Sequence, residues 1–220
     1  MGLKIIITGT TGMVGEGVLL ECLQNSDVET VLSVSRRPAG KTDPKLKEYL
    51  VPDFLQLQPD DEQLKGYDAC FFCAGITSIG KKEDEYRVIT YDTTLHFAKV
   101  LYGLNPQLVF IYVSGSGTDS TEKGRLMWAR VKGKTENDLL QLGFRNAYMF
   151  RPAFMKAMPG QQFLLSAYKY FSWLYPVLKI ITPNSASTLQ QVGRAMINAA
   201  TTGYRKPILE GKDILELSEK

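Results

Sequence analysis

Apolar and polar positions change period repeatedly along this chain. Lys4-Ile5-Ile6-Ile7-Thr8 opens with an unbroken β-branched run, and residues 14–24 follow with apolar positions at helical spacing. Short β-branched runs read as buried strands; recurrence at three and four residues reads as an amphipathic helix. On this reading strands are predicted over residues 5–8, 30–35, 54–56, 69–73, 108–113 and 147–151. Helices are predicted over residues 14–24, 60–64, 83–102, 125–142 and 188–200. The longest repeats Val88, Tyr91, Leu95, Ala98 and Leu101, and Ser187 with Gln190 resembles a capping box for the last. The charged stretch 41–49 is read as a loop or short helix. Alternating strands and crossover helices imply an α/β fold, a doubly wound parallel sheet with helices on both faces, as one domain over residues 1–220.

With 220 residues, 44% of them hydrophobic, the chain can bury one sizeable core. A net charge of +3, scattered along the sequence, argues against a nucleic-acid partner. No signal peptide is visible, and Ile6 breaks a myristoylation pattern after Met1-Gly2. Residues 163–181 are rich in Leu, Tyr, Phe and Trp, but Lys169, Pro176 and Lys179 interrupt them. They are too polar for a membrane span, and attachment to a membrane surface is not expected. They read as a cover over a substrate pocket within residues 154–188, or as a homodimer surface. Three cysteines suggest no disulfide framework and fit a reducing cytoplasm. Cys70 and Cys73 have redox-motif spacing, but on a strand residues three apart face opposite ways. One histidine, His96, and no clustered carboxylates argue against a metal.

The glycine pattern Gly9-x-x-Gly12-x-x-Gly15 lies between the first strand and the first helix. That context is what a dinucleotide-binding turn needs: glycines permit the sharp turn and close backbone approach, and the helix start offers free N–H groups to phosphates.

Several ordered motifs then resemble the short-chain dehydrogenase/reductase superfamily, in its atypical or NmrA-like branch of NAD(P)-binding Rossmann-fold proteins. They are the turn Thr8-Gly9-Thr10-Thr11-Gly12-Met13-Val14-Gly15; Asp53-Phe54; Cys73-Ala74-Gly75 after the fourth predicted strand; Ser114-Gly115-Ser116; Lys132; and Arg151-Pro152-Ala153-Phe154. The resemblance implies cofactor contacts from Gly9, Thr11, Gly12, Met13 and Val14, from Asp53 and Phe54 near adenine, and from Ala74, Gly75 and the backbone of Cys73. It further implies a ribose contact from Lys132, a nicotinamide-side contact from Ser114, and cofactor contacts from Pro152, Ala153 and Phe154. Ser116 is the expected substrate contact, so Ser116 and Lys132 are the candidate catalytic pair.

NAD-specific sites hold the ribose 2′-hydroxyl with an acidic residue about 20 positions past the glycines. This chain offers Ser33-Val34-Ser35-Arg36-Arg37 there, with no carboxylate. Two guanidinium groups suit a 2′-phosphate, so NADP(H) is expected over NAD(H). Most members of the superfamily carry Tyr-x-x-x-Lys; here Trp128 stands four residues before Lys132. An indole N–H can donate a hydrogen bond but cannot serve as acid or base near neutral pH. The expected function is an NADP-dependent oxidoreductase lacking the usual tyrosine, acting on a small apolar or aromatic substrate. The alternatives are a non-catalytic NADP-dependent sensor and, last, a nucleotide-sugar epimerase or dehydratase.

Overall fold

The computed structural model describes residues 2–164, 175, 181 and 184–220. Most of the aromatic stretch 163–181 lies outside the described residues. Seven strands form one parallel sheet in the order β3-β2-β1-β4-β5-β6-β9. They are β1 (Leu3–Thr8), β2 (Val28–Ser35), β3 (Leu46–Leu50), β4 (Ala69–Phe72), β5 (Val109–Val113), β6 (Asn146–Arg151) and β9 (Ile208–Glu210). β7 (Phe154–Lys156) and β8 (Ala186–Thr188) pair separately, also in parallel. The helices are α1 (Met13–Gln24), α2 (Glu83–Arg87), α3 (Thr93–Leu104), α4 (Met127–Gln141), α5 (Leu189–Thr202) and α6 (Gly211–Ser218).

The period-two pattern of the central strands places a core on each face of the sheet. Ile5, Ile7, Phe71 and Ile111 pack with Val18, Leu19, Val192 and Met196 from α1 and α5. Ile6, Phe72, Phe110 and Tyr112 pack with Phe97, Leu101 and Leu139 from α3 and α4. Cys70 belongs to the second core and Cys73 packs against the first, so the two thiols lie on opposite faces. Strands run from β1 outward to β3 in one direction and from β4 to β9 in the other. The carboxyl ends of β1 and β4, where Thr8 pairs with Phe72, are therefore the topological switch point at which such sheets form a crevice.

Several boundaries differ from the pattern reading. The charged stretch 41–49 runs into β3, whose backbone pairs with β2 from Val31–Leu46 to Ser35–Leu50. An edge strand needs little apolar content, so its polar composition hid it. Residues 54–56 form a 3₁₀ turn instead of a strand, because the Asp53 side chain accepts from Leu55 N at 3.0 Å and caps it. The helix expected over 83–102 is broken by a π-turn at Val88–Asp92. There Thr94 Oγ1 donates to Thr90 O at 2.5 Å and Thr93 Oγ1 to Val88 O at 3.0 Å. The capping box of α5 is Thr188 with Gln191, one residue later than read: Gln191 N donates to Thr188 Oγ1 at 3.1 Å and Thr188 N to Gln191 Oε1 at 2.9 Å. β7, β8 and β9, three residues each, carry no readable period.

Candidate functional site

At the switch point Gly9 has φ +72, and a Cβ there would fall 2.7 Å from Ala74 N. Gly12 N donates to Gly9 O at 2.9 Å and closes the turn. Gly12 is the N-cap of α1 and supplies no side-chain cap, which leaves the first N–H groups of the helix to other partners. A Cβ on Gly15 would meet Gly9 O at 2.2 Å, an impossible approach to backbone. Gly15→Ala is therefore expected to displace the turn; a circular-dichroism melt of the variant should show lowered stability, and an unchanged melting temperature would contradict this packing. Behind the turn, Thr10 and Ser33 share a hydroxyl hydrogen bond of 2.7 Å. Ala74 N donates to Thr8 Oγ1 at 3.1 Å, which ties the β1 and β4 ends together.

A cavity of about 480 Å³ opens on this turn. It brings together ten of the sequence-predicted residues: Gly9, Thr11, Gly12, Arg36, Arg37, Asp53, Phe54, Cys73, Ala74 and Gly75. Arg36 and Arg37 are exposed at the end of β2, and neither has an ion-pair partner among the described residues. Asp53 commits one carboxylate oxygen to its cap. The Phe54 ring is buried against Phe97, with centroids 5.3 Å apart. Burial pushes the Cys73 thiol up to about 12, so it stays protonated near neutral pH. Val88 and Ile89, half-exposed on the π-turn, also line the cavity, as do Leu55 and Ile76. Sequence reasoning missed these; the one signal was a Val-Ile pair falling partly off the helical stripe.

Met13, Val14, Ser114, Ser116, Lys132, Pro152, Ala153 and Phe154 are not among the residues lining that cavity. Met13 packs with Met158 and Leu189 beside Val14. Ser116 is exposed, and its N–H donates to Pro152 O at 2.9 Å, so the loops after β5 and β6 adjoin. Ala153 is exposed and Phe154 half-buried. The Ser114 hydroxyl is buried and donates to Glu136 Oε1 at 2.5 Å, so it is turned inward rather than toward a ligand. Lys132 Nζ donates to Ser114 O, and burial lowers its pKa, opposed by Glu136. One turn earlier on α4, the Trp128 ring lies against Gly117, 3.2 Å from where a Cβ would stand.

Glu136 was not anticipated. It is fully buried and accepts from Arg151 Nε at 3.0 Å and from Arg151 Nη2. Arg151 also donates to Glu210 Oε1 at 3.1 Å and to Ser120 Oγ at 2.5 Å. A lysine and a glutamate four apart, Lys132 and Glu136, share one helix face, which was the available signal. The pair joins β5, α4, β6 and β9 at one buried point. Chemically, the arrangement offers a cationic mouth, an N–H-rich turn and a lysine of lowered pKa, with Trp128 able only to donate.

No family model matches the chain. It is 31% identical over 143 residues to the leucinostatins biosynthesis cluster protein T of Purpureocillium lilacinum, over 64% of this chain and 52% of that protein. The chain thus spans about half of that relative's length. It is 25% identical over 219 residues to the mitochondrial protein fmp52 of Emericella nidulans, over 96% of this chain and 92% of that protein. Among solved structures, the Bordetella bronchiseptica enzyme WbmF in complex with NAD+ superposes with a TM-score of 0.65 at 14% identity, over 99% of this chain and 78% of that one. Other structures of similar fold include dehydrogenases, a reductase domain and 4-epimerases. The fold is the Rossmann-type α/β fold shared with these structures. The cytoplasmic expectation does not stand: fmp52 relatives from several fungi are named mitochondrial. Absence of a disulfide framework fits any reducing compartment, so the cysteine argument had no power to choose between them.

Proposed function

We propose that this chain is an NADP(H)-binding protein of the atypical short-chain dehydrogenase/reductase type, acting as an oxidoreductase on a small apolar or aromatic molecule. The observation that carries the reading is the cavity at the switch point, with the glycine turn on one wall and, at the end of β2, two arginines that have no ion-pair partner among the described residues. The turn fits a diphosphate, because Gly12 opens α1 with no side-chain cap and leaves its first N–H groups free to donate. Arg36 and Arg37 then suit a 2′-phosphate. A nicotinamide cofactor would supply or accept the hydride. Lys132, held at the β5 end, would bear on the ribose, and Ser116 on the substrate. The mitochondrial names of the fmp52 relatives support a mitochondrial location.

A second reading is a non-catalytic sensor whose partner surface responds to NADP(H). Trp128 favours it, since the position four before Lys132 holds no proton-transferring group. Calorimetric titration with NADPH and then NADH at one salt concentration tests the cofactor assignment. Tight NADPH binding with NADH at least roughly tenfold weaker is expected from a charged contact. Equal affinities would overturn the arginine assignment, and no binding of either would overturn the cofactor reading.

A further inference from the structure

Glu16 stands in the first turn of α1, just past the glycine turn, and is fully buried. A carboxylate there needs partners, and it has three, one of them charged, which make four contacts. Lys41 Nζ lies 2.9 Å from Glu16 Oε1. Gln162 N donates to both carboxylate oxygens at 2.8 and 2.9 Å, and Phe163 N donates to Oε2 at 2.7 Å. The strap that carries these amides is fastened twice more. Gln161 Nε2 donates to Met13 O at 2.7 Å, and Lys41 Nζ donates to Gly160 O at 3.1 Å.

Lys41 is therefore shared between helix and strap, and it lies within the loop, residues 36–45, that begins with Arg36 and Arg37. That loop is short and tied at two other points. Ser35 Oγ donates to Arg37 O at 2.6 Å, and Ala39 N donates to Glu48 Oε1 at 2.6 Å. The strap itself continues from β7, which follows the Pro152-Ala153 loop. One buried carboxylate thus connects the loop that carries Arg36 and Arg37 to the chain that follows β7.

We infer that Glu16 is a positioning residue that couples phosphate binding at Arg36 and Arg37 to the hold on the strap at residues 161–163. A phosphate gripped by the arginines removes freedom from the loop, so less entropy is lost in keeping Lys41 over Glu16. The strap amides then open less often. Linkage is reciprocal, so a strap released from Glu16 weakens phosphate binding by the same factor. The inference rests on the 2′-phosphate assignment above.

The test is hydrogen exchange at the Gln162 and Phe163 amides in the full chain, with adenosine 2′,5′-bisphosphate as the probe and adenosine 5′-monophosphate as the control. Both amides should exchange more slowly with the bisphosphate, by on the order of tenfold, and less so with the monophosphate. Lys41→Arg should keep the effect and Lys41→Met should lose it, with exchange in β1 unchanged as the check on folding. Saturating bisphosphate with no slowing at these amides overturns the coupling while leaving the arginine assignment standing. Equal slowing by both nucleotides, or full slowing in Lys41→Met, also overturns it. Failure of the bisphosphate to bind overturns the arginine assignment and the coupling together.

Discussion

Arg151→Ala is expected to lower the unfolding free energy by about 3–5 kcal/mol, the usual cost of leaving one partner of a buried ion pair uncompensated. Glu136, the partner left behind, is fully buried and still accepts from the Ser114 hydroxyl. For a chain of this size that loss corresponds to roughly 6–20 °C in melting temperature. Glu136→Leu together with Arg151→Met should recover a large part of it, because an apolar pair carries no desolvation penalty. Thermal unfolding of Glu136→Leu, Arg151→Met and the double variant forms a cycle that isolates the pair. A loss below about 1 kcal/mol in Arg151→Ala would show that water reaches Glu136 and that the pair behaves like a surface ion pair.

Arg36→Ala combined with Arg37→Ala is expected to weaken NADPH binding by on the order of a hundredfold, each charged contact being worth about 1.5–3 kcal/mol before solvent screening is allowed for. NADH, which lacks the 2′-phosphate, should lose little. Titration of the variant with both nucleotides reads the ratio directly. Equal losses would mean that the substitutions disturb the β2 end in general, for instance through the Ser35–Arg37 hydrogen bond, which holds backbone and not guanidinium. Adding salt should narrow the NADPH advantage in the native chain, since both arginines are exposed and screened.

The central sheet was legible because Ile5–Ile7, Phe71 and Phe110 are apolar on two faces, which only a doubly covered strand demands. The glycine turn was legible because steric exclusion leaves its mark directly on residue choice. What escaped were features set by partners distant in sequence. β3 gains its place from hydrogen bonds to β2, and backbone pairing writes nothing into side-chain composition. The inward turn of Ser114 depends on Glu136, 22 residues later, and Glu136 in turn on Arg151. The π-turn that brings Val88 and Ile89 to the cavity arises from hydroxyl back-bonding by Thr93 and Thr94. Each residue of that segment is an ordinary helical choice taken alone.

The small β7–β8 pair separates two kinds of evolutionary freedom. The chain leaves the framework after Lys156 and returns beside it at Ala186, the two strands matched from Phe154–Ala186 to Lys156–Thr188. Whatever runs between is inserted between anchored ends. Lengthening such an insertion adds only a slowly growing closure entropy and leaves the registers of the main sheet untouched. A lineage can thus exchange one cassette there while the seven-stranded sheet and its glycine turn are inherited unaltered.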